Sequence, residues 1–248
     1  MSNKGKTAVI IPARFASSRF PGKLLADLHG RPVIQQVYDQ ALKTSADAVW
    51  VAADDKRIAD AVEAFGGNAV MTSSSHPSGT DRIHEAAEIL AERGMDFDLI
   101  VNIQGDEPLI SPEVVDKLIA MMSAPDSPGM GTVAVNADRD MIADDPNRVK
   151  AVVAADGTAL YFTRASAPFL REGGEDCGML LHWGLYAYTR EVLARLVAFP
   201  ESPLEKCEKL EQLRALENGI SIKVLVTDKT TVGIDTPEDL EIVRKMLA

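Results

Sequence analysis

Apolar residues follow two alternating rhythms along the first half of this chain, and the alternation sets the fold expectation. Short apolar runs bounded by turn residues predict buried strands at TAVIIP (Thr7 to Pro12), AVWVAAD (Ala48 to Asp54), NAVMT (Asn68 to Thr72) and DLIVNIQGD (Asp98 to Asp106). Between them, apolar positions recur at helical spacing. One predicted helix is opened by Pro32 and carries Val33, Val37 and Ala41. DKRIADAVEAFGG predicts a second, ended by Gly66 and Gly67. A third follows SGTDR, with the hydroxyls of Ser78 and Thr80 available as caps, and a fourth is SPEVVDKLIAMM, with Pro112 in its first turn. Strand–helix alternation implies a mostly parallel sheet with helices on both faces.

Past about Met130 the rhythm changes. VAVNA, VKAVVA, ALYFTR and WGLYAY predict strands with few helices between them, which suggests an inserted antiparallel β lobe over roughly residues 130–190. Two helices then return, SPLEKCEKLEQLRALENG and TPEDLEIVRKML, separated by the strand SIKVLV. No repeat, low-complexity tract or linker divides the chain. One α/β domain covering residues 1–248, with the β lobe inserted, is the expectation.

Composition narrows the function. The chain has 248 residues, 46% hydrophobic and 25% charged, the balance of an ordinary globular protein. A net charge of −11 argues against a nucleic-acid binder with a broad basic face, so any polyanion must meet a local cluster of positive charge. Cys177 and Cys207 have no metal-ligand spacing and suggest free thiols. Met1 to Lys6 is polar and basic with no apolar core after it, and no run approaches membrane-spanning length. A cytoplasmic chain with no membrane partner is expected.

Ligands of open parallel sheets lie beyond the carboxyl ends of the strands, and the notable polar stretches fall there. IPARFASSRFPGK places Arg14, Arg19 and Lys23 on the loop after the first strand, beside the small residues Ala13, Ala16, Ser17 and Ser18. Backbone amides of such a turn can cradle phosphates, with arginine forks and a lysine point charge to neutralise them. The loop matches neither GxxxxGK[ST] nor GxGxxG. SGTDR brings hydroxyls and Arg82 to a helix start, where anions bind readily; it also reads as a plain cap with a surface arginine. QGDEP sets Asp106 just past a strand end, placed for Mg²⁺ or simply shaping the turn. GIDTPEDLE reads well as a helix cap, and Asp235 becomes a second metal carboxylate only if the fold carries it to Asp106. Asp54-Asp55 is a weak imitation of a D-x-D metal motif.

In their order, IPARFASSRFPGK, SGTDR, NIQGDEP, YFTR, HWGLYAY, EKLEQLRALENG and VGIDTPEDLE resemble the 3-deoxy-manno-octulosonate cytidylyltransferase (CMP-Kdo synthetase) family over nearly the whole chain. The resemblance implies a Rossmann-like nucleotidyltransferase fold in a cytoplasmic homodimer dimerising through the β lobe. It implies that CTP and Kdo give CMP-Kdo and pyrophosphate with Mg²⁺, for lipopolysaccharide assembly. Carried over residue by residue, Pro12, Ala13, Arg14, Ser17, Arg19 and Lys23 would hold CTP, with Arg82 and Gln104 near the nucleotide or the sugar acid. Asp106 and Asp235 would bind Mg²⁺ and, with Arg19 and Lys23, carry the chemistry; Arg164, His182, Tyr186, Glu211 and Gln212 would meet the sugar acid. Leu181 before His182 departs from the family pattern on the sugar side, which leaves 8-amino-Kdo and sialic acid as alternative acids. A non-catalytic nucleotide sensor is the reading furthest from these residues.

Overall fold

The computed structural model describes residues 5–17 and 19–247. The chain forms two compact units, residues 1–119 with 231–248, and residues 120–230. In the first unit, β1 (Thr7–Ala13) is buried at every position. A strand this apolar, polar only at Thr7, belongs inside a parallel sheet covered on both faces. Each buried Val or Ile contributes about 1.5–3 kcal/mol relative to exposure. After β1 come a short 3₁₀ turn, Lys23–Leu25, and a small hairpin of β2 (Asp27–Leu28) and β3 (Arg31–Pro32).

Alternation then proceeds as the pattern predicts. Helix α1 (Val33–Ala41) buries Val33, Ile34, Val37, Tyr38 and Ala41, the stripe expected of an amphipathic helix, with Pro32 as its N-cap. β4 (Ala48–Ala53) precedes α2 (Lys56–Ala64), whose N-cap Asp55 accepts the Arg57 amide. Gly66, at φ 81°, supplies the left-handed residue that ends it. β5 (Ala69–Met71) leads to α3 (Gly79–Glu92), capped by Ser78; Thr80 lies inside its first turn and is buried, so only one of the two hydroxyls caps. β6 (Leu99–Asn102) is followed by α4 (Pro112–Met122), within which the chain leaves the unit. β1 pairs in parallel with β4 and β6, and β4 with β5. The register Ala13↔Ala53 and Ile10↔Asn102 brings the carboxyl ends of β1, β4 and β6 side by side.

The second unit is built on β7 (Met130–Ala137), α5 (Arg139–Ile142), β8 (Lys150–Val153), β9 (Ala159–Thr163) and the long β10 (Met179–Thr189). It continues with α6 (Arg190–Ala198), α7 (Pro203–Glu208), α8 (Gln212–Glu217) and β11 (Lys223–Thr227). β10 pairs antiparallel with β7 and β8, and β8 with β9, while β11 joins β7 in parallel. This is the β-rich part of the chain, with two differences from the expected pattern. REVLARLVA is a helix capped by Thr189. The single helix expected over SPLEKCEKLEQLRALENG is two, broken where Lys209 adopts φ 53° and ψ 49°.

α9 (Pro237–Leu247) returns to the first unit. Ile234, Leu240 and Val243 pack with Leu28 and Val33 in one buried cluster. Arg244 also donates to the Asp27 carbonyl oxygen, and His29 Nε2 lies 2.8 Å from the Arg244 carbonyl oxygen. The segment before α9 is thereby held against the hairpin that follows the basic loop.

Candidate active site

Gly22 makes the turn out of the basic loop possible. At φ 69° it occupies the left-handed region, and its amide donates to the Phe15 carbonyl oxygen at 3.1 Å. The loop closes on itself there, and Lys23 enters the 3₁₀ turn with its side chain directed at two carboxylates. Lys23 Nζ is 2.5 Å from Asp106 Oδ2 and 3.0 Å from Asp235 Oδ1. Arg19 reaches the other oxygen of Asp235, at 3.0 Å. Burial works against the Lys23 charge, but Asp106 and then Asp235, through charge and hydrogen bonds, outweigh it and hold the ammonium above its ordinary pKa.

Local chemistry explains how both aspartates arrive. Gly105, just before Asp106, runs so close to β1 that a Cβ there would lie 3.1 Å from the Pro12 carbonyl oxygen. The Ile234 amide donates to the Asp106 carbonyl oxygen at 2.8 Å, which ties the two aspartate segments together. In GIDTPEDLE the capping work falls to other residues: Asp239 Oδ2 accepts from the amides of Asp235 and Thr236 and from the Thr236 hydroxyl. The carboxylate of Asp235 is thus released from capping and faces Lys23 and Arg19.

These groups border a cleft of about 920 Å³. Pro12, Arg14, Ser17, Arg19 and Lys23 line it from the loop side, and Gln104, Asp106 and Asp235 from the other strands and the C-terminal segment. Phe15, Ala16, Pro21, Leu24, Gly79 and Gly105 complete the wall, and Phe15 is a site residue the sequence reading passed over. Ser18 lies outside the described residues. Ala13 is buried at the end of β1, where its carbonyl oxygen accepts the Asp54 amide at 3.2 Å.

Arg82 is fully buried and does not line the cleft. Its NH1 donates to Thr72 Oγ1 at 2.7 Å and to the Ser73 carbonyl oxygen at 3.1 Å, and its NH2 lies 3.6 Å from Asp54 Oδ2. Burial lowers its pKa; Asp54 opposes that shift and the neighbouring charge of Arg14 adds to it. Its Nε and NH2 have no hydrogen-bond partner among the described residues.

The remaining predicted residues lie in the second unit. Arg164 donates from its guanidinium to the carbonyl oxygens of Glu208 (2.6 Å), Pro146 (2.8 Å) and Lys209 (3.3 Å), and its amide donates to Glu208 Oε2 at 2.9 Å. It is therefore engaged in bracing the α7–α8 corner. His182 and Tyr186 share an aromatic cluster, with ring centroids 5.5 Å apart, His182 edge-on to Phe162 at 4.9 Å and Tyr186 stacked on Tyr188 at 5.8 Å. His182 Nε2 is 3.1 Å from Thr132 Oγ1. Burial pushes the imidazole down to about 4 and the Tyr186 phenol well up, so both are neutral near pH 7. Glu211 is the N-cap of α8, and Gln212, the next residue, is buried with its Nε2 lacking a partner among the described residues.

Among the described residues no group of three or more His, Cys, Asp or Glu side chains could hold a metal ion. Asp106 and Asp235 are a pair, yet they present oxygens to one shared cation, the Lys23 ammonium. Two carboxylates suit Mg²⁺, which commonly completes its shell with water and phosphate oxygens.

The cytidylyltransferase family model matches residues 8–222. A 3-deoxy-manno-octulosonate cytidylyltransferase of Nitratidesulfovibrio vulgaris (strain DP4) is 51% identical over 96% of this chain and 94% of its own length. An 8-amino-3,8-dideoxy-manno-octulosonate cytidylyltransferase of Shewanella sediminis is 46% identical over 97% of this chain and 98% of its own. Among solved structures, a CMP:2-keto-3-deoxy-manno-octonic acid synthetase complexed with CTP aligns with TM-score 0.91 and 42% identity, covering 98% of both chains. On this similarity, which spans the loop, both aspartates and the β-rich unit, the chain belongs to the 3-deoxy-manno-octulosonate cytidylyltransferase family.

Proposed function

We propose that the protein is a nucleotidyltransferase that converts CTP and 3-deoxy-manno-octulosonate into CMP-Kdo and pyrophosphate, the activated sugar for lipopolysaccharide assembly. The observation that carries this reading is the convergence of Lys23 and Arg19 with Asp106 and Asp235 on one cleft, in a chain of this family. The anomeric hydroxyl oxygen of the sugar acid forms a bond to the α-phosphorus of CTP. The bond from that phosphorus to the α–β bridging oxygen breaks, pyrophosphate leaves with the electron pair, and the hydroxyl proton passes to solvent. Such transfers rest on positioning and charge stabilisation and need no covalent nucleophile.

Within that reaction Arg14, Arg19 and Lys23 neutralise the triphosphate and the departing pyrophosphate, and Ser17 and the loop backbone orient it. Asp106 and Asp235 would hold Mg²⁺, which when bound polarises phosphoryl oxygens and lowers the pKa of a coordinated hydroxyl. Gln104 stands on the cleft wall for the nucleotide or the sugar acid. His182, Tyr186, Glu211 and Gln212 supply neutral and anionic hydrogen-bonding groups for sugar hydroxyls, with Arg164 bracing the corner beside them. No helix among the described residues is long and apolar enough to cross a membrane. A homodimer through the second unit, as the family resemblance implies, is part of this reading.

The test is pyrophosphate release from CTP and Mg²⁺ with Kdo, 8-amino-Kdo or N-acetylneuraminic acid, using wild type and Asp106→Ala. Release that requires Kdo and is lost in the variant supports the activity and the metal assignment. Preference for the 8-amino acid, the substrate named for the Shewanella sediminis relative, changes the sugar alone. No release with any acid, from folded protein that binds CTP, overturns the proposal.

A further inference from the structure

Asp54 does not line the cleft, yet it touches the structures that do. It follows β4 directly, and its side chain is only 9% exposed. Oδ1 accepts the Phe15 amide at 2.8 Å, and Oδ2 faces the Arg82 guanidinium at 3.6 Å. Its own amide donates to the Ala13 carbonyl oxygen. Arg82 also feels the positive charge of Arg14, and Asp54 is the carboxylate that faces Arg82.

The adjacent acid works on the same loop residue from the other side. Asp55 accepts from Arg57 Nε at 2.8 Å and NH2 at 2.6 Å, and the Arg57 Cζ lies 3.4 Å from the Phe15 ring centroid. Phe15 is thus held by its amide through Asp54 and by its ring through Asp55 and Arg57. Its carbonyl oxygen in turn takes the amide of Gly22, the residue before Lys23. The contacts run without a break from Asp54 through Phe15 and Gly22 to Lys23.

We infer that Asp54 is a positioning residue for nucleotide binding: with Arg57 it anchors the basic loop through Phe15, and it ties that loop to the buried Arg82. This rests on the nucleotide reading of the cleft. It gives Asp54-Asp55 a role as a clamp on the loop in place of the D-x-D metal reading. Because the clamp acts on the loop from outside the cleft, its loss weakens CTP binding and leaves the sugar acid unaffected.

The variants are Asp54→Asn, which keeps an acceptor for the Phe15 amide and removes the charge, and Arg57→Ala, an exposed change with little risk to folding. Calorimetry with CTP alone, and steady-state kinetics with each substrate varied, provide the readouts. Asp54→Asn is expected to raise the Kd and KM for CTP at least fivefold, and Arg57→Ala two- to threefold. In both, the KM for Kdo and the kcat at saturating CTP stay within twofold of wild type. Unchanged CTP affinity in both variants overturns the proposal while wild-type CTP turnover preserves the nucleotide reading. A loss of kcat at unchanged CTP affinity also overturns it, because Asp54 would then act on the chemical step. Wild type that binds no CTP removes the nucleotide reading and this proposal with it. If Asp54→Asn does not fold, the Arg57→Ala result decides.

Discussion

Lys23 Nζ and Asp106 Oδ2 stand 2.5 Å apart, although 83 residues separate them in the chain. With Arg19 and Asp235 they form a cluster of two cations and two carboxylates, neutral as a whole. A divalent cation gains little from a neutral cluster. In the proposed reaction Lys23 and Arg19 would turn to the triphosphate, and the two aspartates would then keep the charge that suits Mg²⁺. Lys23→Met is therefore expected to bind Mn²⁺ without nucleotide at least threefold more tightly than wild type, read by electron paramagnetic resonance. The same variant should lose about 10²–10³-fold in kcat, the usual effect of removing one group that stabilises developing charge. Unchanged Mn²⁺ affinity would show that Lys23 does not compete for the aspartates.

Gly105 leaves little space for a side chain. An added methyl would lie 3.1 Å from the Pro12 carbonyl oxygen and 3.4 Å from the methyls of Ile34 and Leu24. The tight contact is with the Pro12 backbone, which would have to give by a few tenths of an ångström; the two methyls stand at the edge of ordinary contact. Gly105→Ala should cost about 1–3 kcal/mol in denaturant unfolding, the range for overpacking. Because Asp106 is the next residue, activity should fall further than the lost stability explains. A variant with wild-type stability and rate would refute the close approach.

The parallel part of the fold was legible because its strands are continuous apolar runs ended by Gly, Pro or Asp, and its helices carry clear stripes. The loops at the strand ends followed from that order. The meeting of Lys23 with Asp235, 212 residues apart, depends on packing of Ile234, Leu240 and Val243 against Leu28 and Val33, which no local pattern records. Equally hidden was the break at Lys209, since EKLEQ contains neither Gly nor Pro. The Lys209 carbonyl oxygen accepts from Arg164, a tertiary contact. An arginine in a motif also does not announce whether it faces ligand or backbone: Arg14 lines the cleft, whereas Arg82 is buried behind it. Asp54 carried the same signal as Asp106, a carboxylate just past a strand end, but its likeness to a metal motif pointed away from its contact with the loop.

Glu205 and Arg214 form a nearly enclosed pair in the second unit, with contacts of 2.8 Å and 2.5 Å and side chains 9% exposed. Burial tends to raise the Glu205 pKa, but the Arg214 hydrogen bonds, the Ser202 amide and the Arg214 charge outweigh it, so the carboxyl is held below its ordinary 4.5. A carboxyl lowered by folding adds stability above about pH 4.5, and that stability is lost as pH falls through the folded value. Glu205→Gln should cost about 3–5 kcal/mol at pH 7 by removing the carboxylate charge that faces the buried Arg214 guanidinium. Its unfolding curves should also change less below pH 4.5 than those of wild type. A variant as acid-sensitive as wild type would assign that sensitivity to other carboxyls.

His182 gives the opposite test, of a group kept neutral. Burial lowers its pKa from 6.5 to about 4, so between those values the unfolded chain takes up a proton that the folded protein refuses. The contribution to stability is complete above about pH 6.5 and is lost as pH falls toward 4. In its proposed place against the sugar acid, a neutral imidazole would offer hydrogen bonding and no charge to the carboxylate. The KM for the sugar acid should consequently be flat from about pH 6 to pH 8, without the inflection of an ordinary histidine near 6.5. His182→Gln, which keeps polar groups at the position, should raise that KM about tenfold or less, while His182→Ala loses the hydrogen bond outright and costs more. The titration of the His182 ring protons by NMR checks the cause directly. A midpoint near 6.5, or a KM that falls as the ring protonates, would make His182 a cationic partner of the carboxylate instead.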